Sequence, residues 1–143
     1  MSENVELVRR WYALLADLRD ADPGEDPAFL DRAFRDFLHE EGELRFPGDY
    51  PEGESVFRGR EGFAQVLAMG RDLWAEGRFE PERFFDAGDR VVAFVRAVMK
   101  GRASGVPIEL PVAHVWTIHE ARATSMRVYL DRSEALEAVG LAD

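Results

Sequence analysis

The sequence predicts an α+β fold in which helices come first and a strongly curved, mostly antiparallel sheet follows. Apolar residues recur at helical spacing before Gly77, whereas strand-like segments separated by turn signals follow it. Single strands and helices do not alternate along the chain, which disfavours a parallel α/β sheet. The 143 residues contain no linker or repeat, so residues 1–143 are expected to form one domain with an apolar pocket between its layers.

Three helices are predicted ahead of the sheet, and glycine or proline marks most of their ends. They cover residues 3–19, the segment from Pro27 to Gly42 and the segment from Gly59 to Gly77. Asp26 is the expected cap of the second helix, because its carboxylate can accept bonds from the first free backbone N–H groups. Trp74 is expected on the apolar side of the third helix. Residues 43–46 are predicted as a short strand, and residues 47–55, with Tyr50, as a loop.

Four strands and a short last helix are predicted in the second half of the chain. The strands are Arg78–Phe85, Arg90–Lys100, Val106–Ile118 and Ala123–Leu130. The middle two are apolar on both faces, which is typical of a sheet that is covered on both sides. Asp131 and Glu134 form a capping-box pattern, so a helix is expected from there to Gly140.

Composition and charge exclude several classes of function. The chain carries 18 Lys and Arg residues against 28 Asp and Glu residues, and its formal net charge of −10 disfavours nucleic acid and anionic membranes as partners. The absence of cysteine excludes disulfides and thiolate catalysis, and a cytoplasmic location is expected. The apolar run Trp11–Ala16 is too short for a membrane span. No two histidines share a spacing suited to a metal, so no metal or cofactor is expected.

One face of the last two strands is predicted to line the pocket. A period of two places Leu110, Val112, His114, Trp116 and Ile118 together on one strand, and Met126, Val128 and Leu130 together on the next. His114 is the one ionisable group of this set, and a neutral imidazole both donates and accepts hydrogen bonds. Because apolar neighbours disfavour the imidazolium, its pKa is expected to lie below about 6.5.

The opposite face of the sheet is expected to form a homodimer interface, because it is too apolar to remain in contact with water. The residues of this face include Phe94, Val98, Val115, Thr117 and Tyr129. Arg96 lies within an apolar strand, where it can bind an anionic ligand or pair with an acidic residue at the interface.

Five segments, taken in order, resemble those of the SnoaL-like proteins, in the superfamily shared by ketosteroid isomerases and nuclear transport factor 2. The segments are Phe57–Phe63, Phe84–Val92, Ser104–Glu109, Ala113–Ile118 and Tyr129–Leu141. The resemblance covers residues 4–141 and implies a cone-shaped α+β barrel with a pocket in the cone, usually dimeric through the outer face of its sheet. The superfamily contains isomerases, polyketide cyclases, epoxide hydrolases, dehydratases and non-catalytic proteins, so the fold does not fix a reaction.

The catalytic carboxylates of the superfamily have no counterpart at the matching positions of this sequence. The resemblance to ketosteroid isomerases places their general base at Phe46, which cannot transfer a proton. Their oxyanion-hole acid corresponds to His114, and their helix-one tyrosine to Trp11 or Tyr12, of which Tyr12 has the required hydroxyl. The catalytic Asp of the polyketide cyclases corresponds to Val128, and their accompanying histidine again to His114.

The resulting hypothesis is a protein that binds a small hydrophobic molecule, with His114 and Tyr12 as the candidate catalytic or ligand-orienting groups. The expected ligand-binding residues are Trp11, Tyr12, Phe46, Trp74, Val112, His114, Trp116, Met126, Val128 and Leu130. One alternative is a cofactor-independent isomerase, cyclase or dehydratase that acts on an enolisable carbonyl compound, with His114 handling the proton. A further alternative is a non-catalytic structural or accessory dimer whose cone is filled by side chains such as Trp116 and Phe46.

Overall fold

The described part of the chain contains four helices and six strands. The computed structural model describes residues 2–16, 27–47 and 55–141, with the backbone alone at residues 27, 71 and 73–76. The helices are α1 (Glu3–Ala16), α2 (Pro27–Asp36), α3 (Gly59–Leu73) and α4 (Arg132–Ala138). The strands are β1 (Leu38–Phe46), β2 (Ser55–Arg58), β3 (Trp74–Ala87), β4 (Arg90–Gly101), β5 (Pro107–His119) and β6 (Arg122–Tyr129).

The six strands form one sheet, in the spatial order β2-β1-β6-β5-β4-β3. Neighbouring strands run antiparallel except β1 and β6, which pair in parallel, so the sheet is mixed. Irregular registers interrupt β1, β3 and the β5–β6 pair, and bulges of this kind bend strands. Within the described residues the sheet is open, with β2 and β3 as its edges. The predicted α+β class, with its mostly antiparallel sheet, is confirmed.

The predicted second helix is too long, because the chain leaves α2 early and β1 begins at Leu38. Pairing with β6 overrides the helical spacing of this segment: Leu38 lies opposite Ala123, whose N–H donates to the carbonyl oxygen of Phe37 at 2.9 Å. Gly42 therefore lies inside a strand and does not end a helix. A Cβ atom on Gly42 would come within 3.1 and 3.3 Å of two backbone carbonyl oxygens, so glycine permits the close approach of β1 to β6.

Two other predicted boundaries differ from the structure. The third helix ends before Trp74, which opens β3 and pairs with the end of β4. Ser55–Arg58 forms the edge strand β2, which pairs antiparallel with the end of β1 and was not predicted from the sequence. Predicted features outside the described residues are the Asp26 cap, residues 17–19 of the first helix and residues 48–54 of the loop, which include Tyr50.

Helices cover both faces of the sheet, and two separate clusters of buried side chains result. On the inner face, to which Val91 and Ala93 of β4 belong, the sheet packs against α1, α2 and α3. On the outer face, to which Val92 and Val115 belong, it packs against α4. Successive residues of one strand thus lie in different clusters, as a period of two requires. None of the described helices has the length and apolar character needed to cross a membrane.

The last helix covers part of the face that the sequence assigns to a dimer interface. Asp131 caps it, as predicted, by accepting a hydrogen bond from the Ser133 N–H at 2.8 Å. Val115 is buried in the cluster beneath this helix, whereas Phe94 and Tyr129 stay half-buried. An arginine guanidinium lies 4.8 Å from the centre of the Phe94 ring and another 5.3 Å from that of Tyr129. Less apolar surface therefore remains exposed on this face than the sequence predicts.

Candidate functional site

His114 lies on the inner face of the sheet, on β5, between Ala93 of β4 and Val128 of β6. It shares that face with Val112 and Trp116, which agrees with the predicted alternation. The residue is 5% exposed, and it is the one buried polar or charged residue among those that the structure describes. A polar group buried in this way requires a hydrogen-bond partner, because its desolvation is otherwise uncompensated.

Helix α1 supplies that partner. Its buried residues include Val8 and Tyr12, which recur at helical spacing and face the sheet. The Tyr12 hydroxyl oxygen lies 2.6 Å from Nδ1 of His114, and the indole Nε1 of Trp116 donates a hydrogen bond to the same oxygen at 3.1 Å. Side chains from α1 and β5 thus converge on one hydroxyl, and the candidate pair Tyr12 and His114 is brought into direct contact.

Aromatic rings surround the imidazole. The planes of the Tyr12 and His114 rings differ by 11°, with centroids 6.0 Å apart, and the Trp116 ring stands at 85° to the imidazole. Phe79 of β3 meets the imidazole edge to face, with centroids 5.4 Å apart. Phe84 of the same strand lies 6.0 Å from the Tyr12 ring. These contacts fix the orientation of the imidazole in an apolar frame.

Phe79 and Phe84 are residues of the site that were not predicted from the sequence. In a regular strand, two residues separated by five positions lie on opposite faces. A register shift between Pro81 and Arg83 adds a residue to β3, so both phenylalanines reach the inner face. Proline within a strand is typical of bulges and edge strands, and Pro81 is the sequence signal for this irregularity.

Burial determines the charge of both hydrogen-bonded groups. Desolvation lowers the pKa of His114 to about 4, so the imidazole is neutral at pH 7, in agreement with the predicted direction. Burial also raises the pKa of Tyr12 above its ordinary value, although the hydrogen bond from Trp116 acts in the opposite direction. No carboxylate is among the described side chains that contact the imidazole.

Two of the other predicted ligand-binding residues, Trp11 and Phe46, lie among other aromatic rings, whereas Val128 lies opposite His114. Trp11 lies in the core, where its ring stacks on Phe37 with centroids 4.6 Å apart. Phe46 is half-buried at the end of β1 and meets Phe57 edge to face at 5.8 Å. The side chain of Trp74 lies outside the described side chains. Trp11 and Phe46 thus pack against other aromatic rings of the core.

The deep part of the interior is filled by side chains. Val112, Met126 and Val128 are buried, and Met126 lies opposite Trp116 in the β5–β6 pair. A cavity of about 10 Å³ remains between α2, β1 and β6, with Trp116 and Met126 among its lining residues. A cavity of this size holds at most one water molecule. A ligand therefore has no room in this cavity.

Apolar side chains remain exposed on the inner face beyond the imidazole. Phe79 and Leu110 are each 42% exposed, and they lie in one row across the sheet because both are paired with Ala97. We call these two side chains the apolar rim. Leu130, which directly follows β6, is 39% exposed. Since Phe79 contacts the imidazole, the exposed apolar surface extends to His114.

Charged residues elsewhere do not complete the site. Arg96, the predicted candidate for an anionic ligand, pairs within the chain with Glu82 at 3.0 Å and with Glu109 at 3.3 Å. Across residues 2–16, 27–47 and 55–141, no group of three or more His, Asp or Glu side chains is placed to hold a metal ion. The chemistry that the described site offers is therefore that of a neutral imidazole in an apolar frame.

The mixed six-stranded sheet and its four helices have the fold of nuclear transport factor 2-like and ketosteroid isomerase-like proteins. Within this class, the family model described as a SnoaL-like domain matches residues 8–126. The chain therefore belongs to the SnoaL-like domain family, and the resemblance seen in the sequence is confirmed. No curated protein matches the chain.

Solved structures share this fold over nearly the whole chain. An NTF2-like protein of unknown function from Burkholderia pseudomallei is 20% identical, with a TM-score of 0.73 over 97% of this chain and 98% of that one. A protein with a ketosteroid isomerase-like fold from Catenulispora acidiphila, solved with trimethylamine, is 19% identical, with a TM-score of 0.68 over 95% and 93%. TerC, co-crystallised with polyporic acid, is 25% identical, with a TM-score of 0.70 over 97% and 99%.

Proposed function

We propose that the protein binds a small, uncharged hydrophobic molecule on the inner face of its sheet, with His114 as the group that orients the ligand. The observation that carries this proposal is the 2.6 Å contact between the Tyr12 hydroxyl and Nδ1 of His114. It holds the ring in place and leaves Nε2 as the ring nitrogen without a partner among the described residues. One directional polar atom beside an apolar surface is the composition typical of small-ligand sites.

The charge state of the site favours an uncharged ligand. His114 is neutral at pH 7, and its contacts are with Tyr12, Trp116 and Phe79. A charged ligand would lose its hydration without gaining an opposite charge from these side chains. The co-crystallisation of TerC, 25% identical, with polyporic acid supports an organic small molecule as the ligand class.

The proposed ligand lies against the apolar rim and the imidazole. The cavity near Trp116 and Met126 measures about 10 Å³ and accepts no organic molecule. Phe79 and Leu110, by contrast, expose apolar surface that a ligand would cover. Covering exposed apolar area contributes roughly 25 cal/mol per Å² before the costs of binding are subtracted.

Binding without proton transfer is the function that the site supports best. A base with a pKa of about 4 removes protons poorly at neutral pH, because efficient general bases have pKa values near the operating pH. Val128, at the position that corresponds to the cyclase carboxylate, lies directly opposite His114 and carries no ionisable group. No observation on the described residues favours the isomerase, cyclase or dehydratase alternative over binding.

We also propose that the protein forms a homodimer through the outer face of its sheet. Phe94, Val98, Thr117 and Tyr129 remain only half-buried there after α4 has covered Val115. Sedimentation velocity at micromolar concentration is expected to show a species of twice the chain mass. A monomer under these conditions would contradict the proposal.

Ligand titration tests the binding proposal. Nile red, a neutral dye whose emission rises in apolar sites, is titrated against the protein, and uncharged fluorenone is added as a competitor. His114→Phe is expected to weaken binding about three- to tenfold, because a hydrogen bond contributes about 0.5–1.5 kcal/mol. His119→Phe, the same substitution at an exposed histidine, is the matched control and should leave binding unchanged. Equal affinities for wild type and His114→Phe would contradict the role of His114.

A further inference from the structure

The hydrogen bonds around Tyr12 restrict where the imidazole proton of His114 can lie. Trp116 Nε1 is a donor only, so its hydrogen points at the Tyr12 oxygen across the 3.1 Å contact. The 2.6 Å contact to Nδ1 then has two possible directions. Either the tyrosine hydroxyl donates to Nδ1 and the proton of the neutral ring is on Nε2, or Nδ1 carries the proton and donates to the tyrosine oxygen.

The first arrangement gives Trp116 Nε1, the Tyr12 hydroxyl and Nδ1 of His114 each a partner. Trp116 donates to Tyr12, Tyr12 donates to His114, and bonds that follow one another in this direction polarise and strengthen each other. In the second arrangement two donors converge on one oxygen. The hydroxyl hydrogen of Tyr12 is then left without an acceptor among the described residues, in a side chain that is 2% exposed. Because a buried donor without an acceptor is costly, the second arrangement is disfavoured relative to the first by roughly tenfold or more.

We propose that Trp116 is a positioning residue that holds the His114 proton on Nε2, so that the site presents one hydrogen-bond donor and selects ligands with an acceptor oxygen. The ligand part of this inference rests on the proposed function, whereas the tautomer is a property of the protein alone. Trp116 acts through Tyr12 and does not itself touch the ligand. The indole N–H of Trp116 points at the Tyr12 oxygen, so the hydroxyl hydrogen of Tyr12 cannot take that direction and points at Nδ1 of His114 instead.

The same arrangement makes His114 a poor proton carrier. Release of the Nε2 proton to a ligand would require Nδ1 to take the hydrogen of Tyr12, which would leave a tyrosinate in an apolar frame. Acceptance of a proton at Nε2 is blocked because that nitrogen already carries one. A ligand ketone or quinone oxygen can accept the Nε2 hydrogen, while a group that only donates finds no acceptor on the ring.

Nitrogen NMR of the protein without ligand tests the tautomer directly. Two-bond proton–nitrogen correlations of ¹⁵N-histidine-labelled protein at neutral pH distinguish a protonated ring nitrogen from an unprotonated one. In wild type we expect His114 to have its proton on Nε2 in at least about nine molecules of ten, since the alternative is disfavoured roughly tenfold. Trp116→Phe should move the two nitrogen shifts toward each other as the second tautomer becomes populated.

Trp11→Phe is the matched control, because it removes a buried indole that packs 6.1 Å from Trp116 but makes no bond to Tyr12. It should leave the His114 nitrogen shifts unchanged. A proton on Nδ1 in wild type, or Trp116→Phe shifts equal to those of wild type, would overturn the inference. If Trp116→Phe does not fold, the wild-type spectrum and that of Tyr12→Phe, which removes the relay, still decide the position of the proton.

Matched ligands test the selection. Fluorenone and fluorene have nearly the same shape, and only fluorenone has a carbonyl oxygen. Wild type is expected to bind fluorenone about three- to tenfold more tightly than fluorene, because only fluorenone can accept one hydrogen bond from His114. The His114→Phe variant is expected to bind both compounds equally. A preference for fluorene would overturn the selection. Failure to bind either compound would contradict the proposed function while leaving the tautomer result intact.

Discussion

The neutral, buried imidazole of His114 makes the stability of the fold depend on pH. Burial lowers its pKa from 6.5 to about 4 in the folded chain, whereas the solvated ring of the unfolded chain keeps the ordinary value. Well above pH 6.5 both states hold a neutral ring, and the full stability is present. Below it the unfolded chain binds a proton that the folded chain does not, so the free energy of unfolding decreases as the pH falls toward 4.

The size of this effect follows from the difference between the two pKa values. Each pH unit in the window contributes about 1.36 kcal/mol, so stability decreases by roughly 3 kcal/mol between neutral pH and about pH 4. The described contacts of the imidazole come from Tyr12, Phe79 and Trp116, with Ala93 and Val128 as its cross-strand neighbours. Tyr12 is the one titratable group among them, and no carboxylate offsets the loss.

Urea unfolding at a series of pH values between about 7 and 4.5 measures the effect. His114→Gln removes the titrating ring and keeps an acceptor for the Tyr12 hydroxyl. The stability difference between wild type and this variant should decrease by about 2–3 kcal/mol across that range. His119→Gln, at an exposed histidine, should give a curve parallel to that of wild type.

Three carboxylates with lowered pKa values also make stability depend on pH in acid, but their effects cancel in this comparison. Asp36, Glu43 and Glu82 each have a pKa lowered by a hydrogen bond from an arginine. The stability that these three carboxylates contribute is present above their pKa values in the unfolded chain. It is lost at lower pH, equally in wild type and in the variant. A difference between wild type and His114→Gln that stays constant down to pH 4.5 would refute the reasoning, because it would mean that the folded chain binds the proton as readily as the unfolded chain.

Three further predictions concern the backbone and the missing bases. Gly42→Ala should lower the free energy of unfolding by about 1–3 kcal/mol, because the added Cβ would meet two backbone carbonyl oxygens at 3.1 and 3.3 Å; an unchanged urea midpoint would contradict this. Ala121→Gly should raise the melting temperature, with a gain of about 0.5–1 kcal/mol, since Ala121 has a φ of 63° that glycine adopts without strain; a lower melting temperature would refute it. A Δ5-3-ketosteroid should not be isomerised above the solvent background, since Phe46 and Val128 stand at the positions of the known bases; turnover that His114→Ala abolishes would contradict this.

The site could be predicted where local periodicity determines it. Alternation along β5 placed His114 and Trp116 on one face, and the register of the sheet confirms that placement. Helical spacing placed Tyr12 on the buried side of α1. The contact between Tyr12 and His114 joins residues 102 positions apart, so periodicity could not predict it. Only the resemblance to ketosteroid isomerases suggested that a helix-one tyrosine and this strand position belong to one site.

The parts that could not be predicted depend on contacts between distant segments. Residues from Leu38 to Gly42 have a helical pattern, yet pairing with β6 makes them a strand. Phe79 reaches the imidazole only because β3 has a bulge, which shifts the alternation by one residue. No local pattern shows which strand supplies the pairing partner, and a shift of one position reverses the face of every later side chain.

The two halves of an enolisation reaction need different groups, and the described site contains one of them. A base must remove a proton next to the carbonyl, and a donor must stabilise the negative charge that develops on the oxygen. In the proposed tautomer, Trp116, Tyr12 and His114 form an array that ends in a donor, whereas Val128 leaves the position opposite the imidazole apolar. A donor without a base would stabilise a negative charge on the carbonyl oxygen, but no described group can generate that charge. Under the proposed function, its remaining effect is to hold an acceptor oxygen of the ligand in a fixed direction.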